Sequence, residues 1–396
     1  MPEIIIKDGR EKSILRHHPW IFSGAIAKVT GDPKIGETVD VLSVKGEFLA
    51  RASYNPISNI TGRIWTWDEN EQVNPSMLDN RLQQAIALRK NMMNLFQTDA
   101  VRLVYGESDS LPGLILDQYS DTYVVQFLTA GAEYWKDVLA DSILQQTNAK
   151  ILYERSDMDV RQIEGLKLSS GLLFGNYQNE KIIITESGVN FIVDIITGHK
   201  TGFYIDQRDN RLLIRNISAG LKILDCFSYT GGFALNALLG QAESVTLVDS
   251  SNVALSYARE NFLINNHNLS KVKFIEQDVF KYLRNLRDTG ESFDMVILDP
   301  PKFAPTSAQA ENAARGYKDI NLLALKILKP GGILVTFSCS GGISEDLFQK
   351  IIAGAAFDAK ASALILKRLH QAPDHPVALN YPEGAYLKGF IIQKRA

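Results

Sequence analysis

Leu221-Lys222-Ile223-Leu224-Asp225-Cys226-Phe227-Ser228-Tyr229-Thr230-Gly231-Gly232-Phe233 is the stretch whose reading decides the fold. Its first five residues are a buried-strand pattern, and they run directly into a glycine loop and a helix beginning near Ala234. A tight glycine turn between strand and helix lets backbone approach a ligand closely at the carboxyl end of a sheet. The spacing is not G-x-G-x-x-G, and no Gly-Lys-Ser/Thr follows, so dinucleotide and phosphate-cradling readings are weak.

Outward from this loop toward the C-terminus, strand and helix alternate, which predicts a mostly parallel sheet covered by helices on both faces. The second strand, Ser244 to Val248, ends in Asp249, roughly 20 residues beyond the loop, where an acid can accept both hydroxyls of a ribose. The third, Val272 to Ile275, is followed by Asp278-Val279, where a short polar side chain could bind the exocyclic amine of an adenine. Taken singly, each acid is equally a strand end or a helix cap. In this order the three describe an adenosine ligand without phosphates.

Upstream, Gly198-His199-Lys200-Thr201-Gly202-Phe203-Tyr204-Ile205-Asp206-Gln207-Arg208 precedes a polar helical run. Lys200 and Arg208 could meet the carboxylate of a methionyl tail and Phe203 could wall an adenine; a solvated basic face is the competing reading.

The fourth strand, Phe293 to Leu298, ends in Asp299-Pro300-Pro301-Lys302-Phe303. Two prolines fix the backbone and withhold two amide donors, giving a rigid loop that could hold a flat nucleobase against Phe303. The fifth strand follows the turn Lys329-Pro330-Gly331-Gly332, runs Ile333 to Phe337 and ends in Ser338-Cys339-Ser340. Asp299 and Cys339 are therefore expected to face one crevice. Carbon 5 of a pyrimidine is a poor nucleophile until a thiolate adds to carbon 6, and Cys339 would supply that thiolate. Asp299 could balance charge at nitrogen 3 and the exocyclic amine of a cytosine. The bland reading of a lone cysteine is a small buried hydrophobe. Cys226 fits that reading, while Cys339 departs from it through its polar flanks.

The first 67 residues read differently, as short strands broken by Gly24, Gly31-Asp32-Pro33, Gly36, Lys45-Gly46 and Asn55-Pro56, a small β-barrel. Nine Lys/Arg stand against seven Asp/Glu there, too slight an excess to separate an RNA-binding barrel from a structural one. After a linker near Asp68 to Asn74, Leu78, Leu82, Ile86, Leu88 and Met92 recur at helical spacing, and alternating segments to Glu154 predict a small α+β domain. The expected boundaries are 1–70, 75–180 and 182–396.

The 396 residues carry a net charge of -3, which excludes a polycationic coat for nucleic acid. Two cysteines cannot make the disulfide framework of a secreted domain, and no His or Cys pair stands at metal-ligand spacing. No run approaches the roughly 20 apolar residues that span a bilayer, and the first residues lack a signal-peptide order. A cytoplasmic protein with no metal and no membrane partner is expected.

Asp225 to Phe233, Asp249-Ser250-Ser251, Asp299-Pro300-Pro301-Lys302-Phe303 and Ser338-Cys339-Ser340 together resemble the RlmI (YccW-type) methyltransferases, which make 5-methylcytosine in large-subunit ribosomal RNA. The likeness covers essentially the whole chain. It implies an α/β fold: a Rossmann-like class I methyltransferase domain with a mostly parallel seven-stranded sheet, preceded by a PUA-like RNA-binding barrel and an α+β middle domain. It further implies S-adenosyl-L-methionine as cofactor and ribosomal RNA as partner, and it is compatible with a homodimer. Cys339 would be the nucleophile, with Asp299 beside it. Lys200, Thr201, Phe203, Arg208, Asp225, Phe227, Ser228, Tyr229, Gly231, Gly232, Asp249, Ser250, Asp278, Val279 and Asp299 would surround the cofactor, and Pro300 to Phe303 the target base. One departure is Ser110, where the family is expected to carry glycine. Two other functions stay open: methylation of a purine nitrogen through Asp-Pro-Pro and an aromatic, which needs no Cys339, and a non-catalytic RNA-binding assembly factor.

Overall fold

The structure is a computed structural model that describes residues 1–178, 181–303 and 310–395; the expected boundaries at 180 and 396 fall outside them. The chain divides into two compact units. The first comprises Met1–Gly188, Val193–Ile205 and Pro373–Gly384, and the second Val189–Ile192, Asp206–Ala372 and Ala385–Ala396. No helix among the described residues is long and apolar enough to cross a membrane.

The first unit opens with strands β1 (Glu3–Ile6), β2 (Trp20–Phe22), β3 (Ile26–Thr30), β4 (Thr38–Ser43), β5 (Phe48–Tyr54) and β6 (Ile60–Thr66), in the order β2-β6-β5-β4-β1-β3. Alternation along them turns Ile4, Ile6, Val39, Val41, Ala50 and Ala52 into one core, as a half-buried strand requires. A second sheet follows, built from β7 (Ala100–Tyr105), β8 (Leu114–Tyr119), β9 (Thr122–Phe127), β10 (Ile151–Ser156) and β11 (Ser169–Phe174) in the order β11-β10-β9-β8-β7.

Helix Pro75–Phe96 starts where it should: Asn74 caps it by accepting from the Met77 amide at 2.9 Å, and Pro75 occupies the first turn. Leu78, Leu82 and Ile86 are buried as the helical spacing predicts, but Leu88 is 48% exposed. The buried stripe passes instead through Ala85 and Arg89, and the Arg89 guanidinium is held bidentately by Asp109 at 2.6 and 2.8 Å. Ser110, the residue expected to be glycine, has φ 57°, the left-handed conformation that glycine adopts without strain.

Strands β12 (Ile182–Glu186) and β13 (Val189–Val193) precede the sheet that organises the second unit. That sheet contains β14 (Lys222–Cys226), β15 (Ser244–Asp249), β16 (Val272–Glu276), β17 (Phe293–Leu298), β18 (Leu328–Ser338), β19 (Ala363–Leu369) and β20 (Lys388–Lys394). Its order is β16-β15-β14-β17-β18-β20-β19; β20 runs antiparallel to both neighbours and the other pairings are parallel. The expected sheet is thus present, with the order reversing beside β14 at its centre, where such sheets bind ligands. The Lys329 to Gly332 turn lies within β18: Leu328 already pairs with Phe293, and the register shifts before Ile333 meets Met295.

Helices cover the sheet, with Leu283, Leu286, Tyr317, Ile320, Ala324, Phe348 and Ile352 packing on Leu224, Val296, Leu298, Leu334 and Phe390. Register then aligns the loops. Cys226 lies opposite both Val248 and Leu298, and Leu298 opposite Thr336. Phe227, Asp249 and Asp299 consequently leave the same edge side by side, with Ser338-Cys339-Ser340 just beyond.

Candidate active site

The glycine loop folds through alternate left-handed residues: Phe227 at φ 60°, Tyr229 at φ 47° and Gly231 at φ 77°. The loop is held by its own amides: that of Ser228 donates to the Val248 carbonyl at 3.2 Å and that of Gly231 to the Ser228 carbonyl at 2.8 Å. A Cβ at Gly231 would stand 3.0 Å from Leu247 and 3.1 Å from Ala258, so those side chains would have to give by a few tenths of an ångström. The helix after the loop is Gly232–Leu239, starting two residues earlier than the pattern predicts.

Asp225 is 1% exposed, and Oδ2 accepts from the Ala234 amide at 3.1 Å. Burial holds its carboxyl well above the usual carboxylate range, and the neighbouring Asp299 and Asp249 push the same way. Asp249 accepts from the Tyr229 amide through Oδ2 and from the Ser251 amide through Oδ1, both at 2.9 Å, so it ties the second strand to the loop. Asp278 is exposed and caps helix Val279–Thr289 by accepting from the Lys281 amide at 2.9 Å. Val279 is buried in the helix-covered core, and Ser250 is exposed.

Asp299 accepts from Gln207 Nε2 at 3.0 Å. Behind it Pro300 is buried, while Pro301 and Lys302 are exposed. Phe303 is half-buried in an aromatic row, its ring 4.7 Å from Tyr317 and 6.0 Å from Phe280. Its amide donates to Ser340 Oγ at 3.1 Å, and Tyr317 Oη pairs with the same hydroxyl at 2.9 Å. The Asp-Pro-Pro loop and the Ser-Cys-Ser turn are therefore stitched together. Cys339 is half-buried, whereas Cys226 is fully buried in the core, where burial pushes its thiol well up. Ser338 and Ser340 are wholly buried on either side of Cys339.

The upstream residues are distributed over both units. Arg208 opens helix Arg208–Asn216 in the second unit and is 1% exposed, which sets aside the solvated-face reading for this residue. Lys200, Thr201 and Phe203 belong to the first unit. There Thr201 is buried against Asp117 and Tyr119, the Lys200 ammonium lies 4.3 Å from the Tyr204 ring centroid, and Phe203 is buried.

Residues 169–390 match the model of the S-adenosylmethionine-dependent methyltransferase family, and residues 4–67 match a PUA-like domain. The chain is 48% identical over 389 residues to ribosomal RNA large subunit methyltransferase I of Klebsiella pneumoniae subsp. pneumoniae, covering 98% of this chain and 97% of the relative. The protein of the same name from Erwinia tasmaniensis is 48% identical over 387 residues, 98% of each chain. The chain belongs to the ribosomal RNA large subunit methyltransferase I family. A solved structure described as a methyltransferase complexed with SAH shares the fold, with a TM-score of 0.88 at 24% identity over 99% of this chain and 100% of that one.

S-adenosylmethionine is thus this methyltransferase's cofactor, and the glycine loop fits it. Two wholly buried polar atoms of the loop, Asp225 Oδ1 and Ser228 Oγ, have no hydrogen-bond partner among the described residues. Buried polar groups are ordinarily satisfied, and a ligand carrying an ammonium and ribose hydroxyls answers both. Three residues escaped the sequence reading of this methyltransferase's site: Gln207, which holds Asp299; Tyr317, which holds Ser340; and Lys388, whose Nζ donates to the Ser340 and Ile343 carbonyls at 2.8 and 2.7 Å. Gln207 stands inside a quoted motif, but Tyr317 lies mid-helix and Lys388 in a terminal strand, where only tertiary contact reveals them.

Proposed function

We propose that this methyltransferase modifies carbon 5 of a cytosine in large-subunit ribosomal RNA through a transient bond to Cys339. The observation carrying the proposal is the half-buried Cys339 at the carboxyl end of β18, tied through Ser340 to the loop that begins at Asp299. A purine-nitrogen methyltransferase has no use for a thiol there.

In this reading Asp225, Phe227, Ser228, Tyr229, Gly231, Gly232 and Asp249 would hold the cofactor's amine, ribose and adenine, with Arg208, Ser250, Asp278 and Val279 contributing. Bound S-adenosylmethionine supplies an electrophilic methyl group, which carbon 5 takes up. Cys339 acts as a thiolate: its sulfur bonds to carbon 6, and the electron pair of the 5,6 double bond moves onto carbon 5 and the ring. Asp299 faces the amidine edge of the base and offsets the charge gathered there. When a base removes the proton from carbon 5, that electron pair restores the double bond and Cys339 leaves as thiolate. A cytosine reached in this way has left its stack, so an unpaired segment is the target.

The test is methyl transfer to ribosomal RNA from cells lacking this modification, followed by nucleoside analysis. The reading expects 5-methylcytidine from the wild type and none from Cys339→Ala. A methylated purine, or full activity of Cys339→Ala, supports purine-nitrogen methylation instead.

A further inference from the structure

Lys388 opens β20 directly across from Ser338 of β18, and it is 7% exposed. Its ammonium donates to the carbonyls of Ser340 and Ile343, closing the turn that carries Cys339. An ammonium has three donors, so these bonds leave one N–H uncommitted. Burying a cation merely to hold two neutral carbonyls is costly, because the ion loses its hydration. An opposite charge forming nearby would offset that cost.

The charged and titratable groups around it come from every packed element. Burial lowers the Lys388 ammonium below its usual range, with Lys302 of the Asp-Pro-Pro loop acting the same way, while Cys339 at the end of β18 and Glu345 at the start of helix Glu345–Asp358 act against that and favour the charged form. Glu345 is already engaged by Arg368 of β19, with His370 Nδ1 at 4.0 Å. Tyr317, on helix Ala310–Ile327, is kept protonated by burial and by Cys339. Among these groups Cys339 is the one whose ionisation the proposed reaction needs.

We infer that Lys388 is a positioning residue for the reaction: it fixes the Ser338 to Ile343 turn and favours the thiolate form of Cys339. This rests on Cys339 being the nucleophile. The same strand holds an internal control. Lys394, at its other end, also donates to two carbonyls, those of Leu325 and Leu328 at 2.9 and 2.7 Å, with no cysteine beside it. Lys394 shows the architectural use of a lysine in this strand; Lys388 adds a charge that interacts with Cys339.

The experiment is the rate of iodoacetamide alkylation at Cys339 against pH, read by mass spectrometry on the full chain, with no RNA present. Lys388→Met should move the midpoint upward by about one pH unit, a roughly tenfold slower reaction near neutrality, since each unit of pKa is a factor of ten in thiolate population. Lys388→Arg, which keeps the charge, should restore the wild-type midpoint, and Lys394→Met should leave it unmoved. Superimposable profiles for wild type and Lys388→Met overturn the inference. So does an equal shift in Lys394→Met, or a shift in Lys388→Arg matching that of Lys388→Met. Because alkylation reads the thiol and not the product, failure of the cytosine-5 reading would appear separately, as full activity of Cys339→Ala.

Discussion

The Phe303 amide donates to Ser340 Oγ at 3.1 Å, and this one hydroxyl, paired also with Tyr317 Oη at 2.9 Å, couples the Asp-Pro-Pro loop to the turn bearing Cys339. Chains of buried hydrogen bonds of this kind stiffen a site at the cost of leaving partners orphaned when one is removed.

Ser340→Ala strands the Phe303 amide and removes one of the Tyr317 phenol's partners, leaving it the Ser338 hydroxyl. At about 0.5–1.5 kcal/mol for each bond lost, the variant should lose about 1–3 kcal/mol of stability in urea unfolding. Its methyl-transfer kcat should fall more than its cofactor affinity, because Ser340 lies outside the glycine loop. Unchanged kcat would dissociate the two loops.

Gly231→Ala meets two obstacles, a φ of 77° and approaches to Leu247 and Ala258 closer than van der Waals contact. Strain at such a residue costs about 1–3 kcal/mol. Isothermal titration should show weaker S-adenosylmethionine binding beyond the stability loss, as the loop of residues 227–231 shifts. Gly188, also at φ 77° but with open space around a Cβ, should lose stability to the same backbone strain when changed to alanine while keeping cofactor affinity intact.

The Asp225 carboxyl sits above its unfolded-state range because of burial and two neighbouring acids. A raised folded pKa means the folded state retains the proton longer, so stability is lost as pH climbs through the raised value. Asp225→Asn, which mimics the protonated form, should match the wild type in acid and exceed it in thermal stability above that window. Cofactor affinity should go the other way: the wild type gains affinity as Asp225 ionises opposite the methionyl ammonium, and the variant loses about tenfold or more with no such pH dependence, the scale of a hydrogen bond between charged groups. A variant that binds as tightly as wild type at alkaline pH would remove Asp225 from the cofactor's ligands.

Much of the second unit was legible because its signals are local. Strand, glycine loop, helix and terminal acid recur within short spans, and parallel register places those acids abreast once the strands exist. What stayed hidden depends on distant pairing. The exposed pattern of β19 carries no clean period, with Leu364, Ile365 and Leu366 all outward. The Pro373–Gly384 segment joins the first unit through Asp374, which accepts from the Arg102 amide at 3.1 Å, and through the Gly384 carbonyl, which accepts from Tyr105 Oη at 2.8 Å. No periodicity announces such a return. Leu88 and Arg89 show the same limit at single-residue scale: hydropathy places the leucine inside, while the Asp109 carboxylate brings in the arginine.

The most direct test of the central claim is a trapping experiment. Ribosomal RNA carrying 5-fluorocytidine has no proton at carbon 5 to lose, so after methyl transfer the sulfur bonded to carbon 6 cannot be expelled. In the presence of S-adenosylmethionine the wild type should form an adduct stable to denaturation, with the RNA-derived mass mapped to Cys339, while Cys226→Ala should form it equally and Cys339→Ala not at all. Methylation of natural RNA by the wild type without any adduct on the fluorinated RNA, or an adduct mapped to another residue, would contradict the claim.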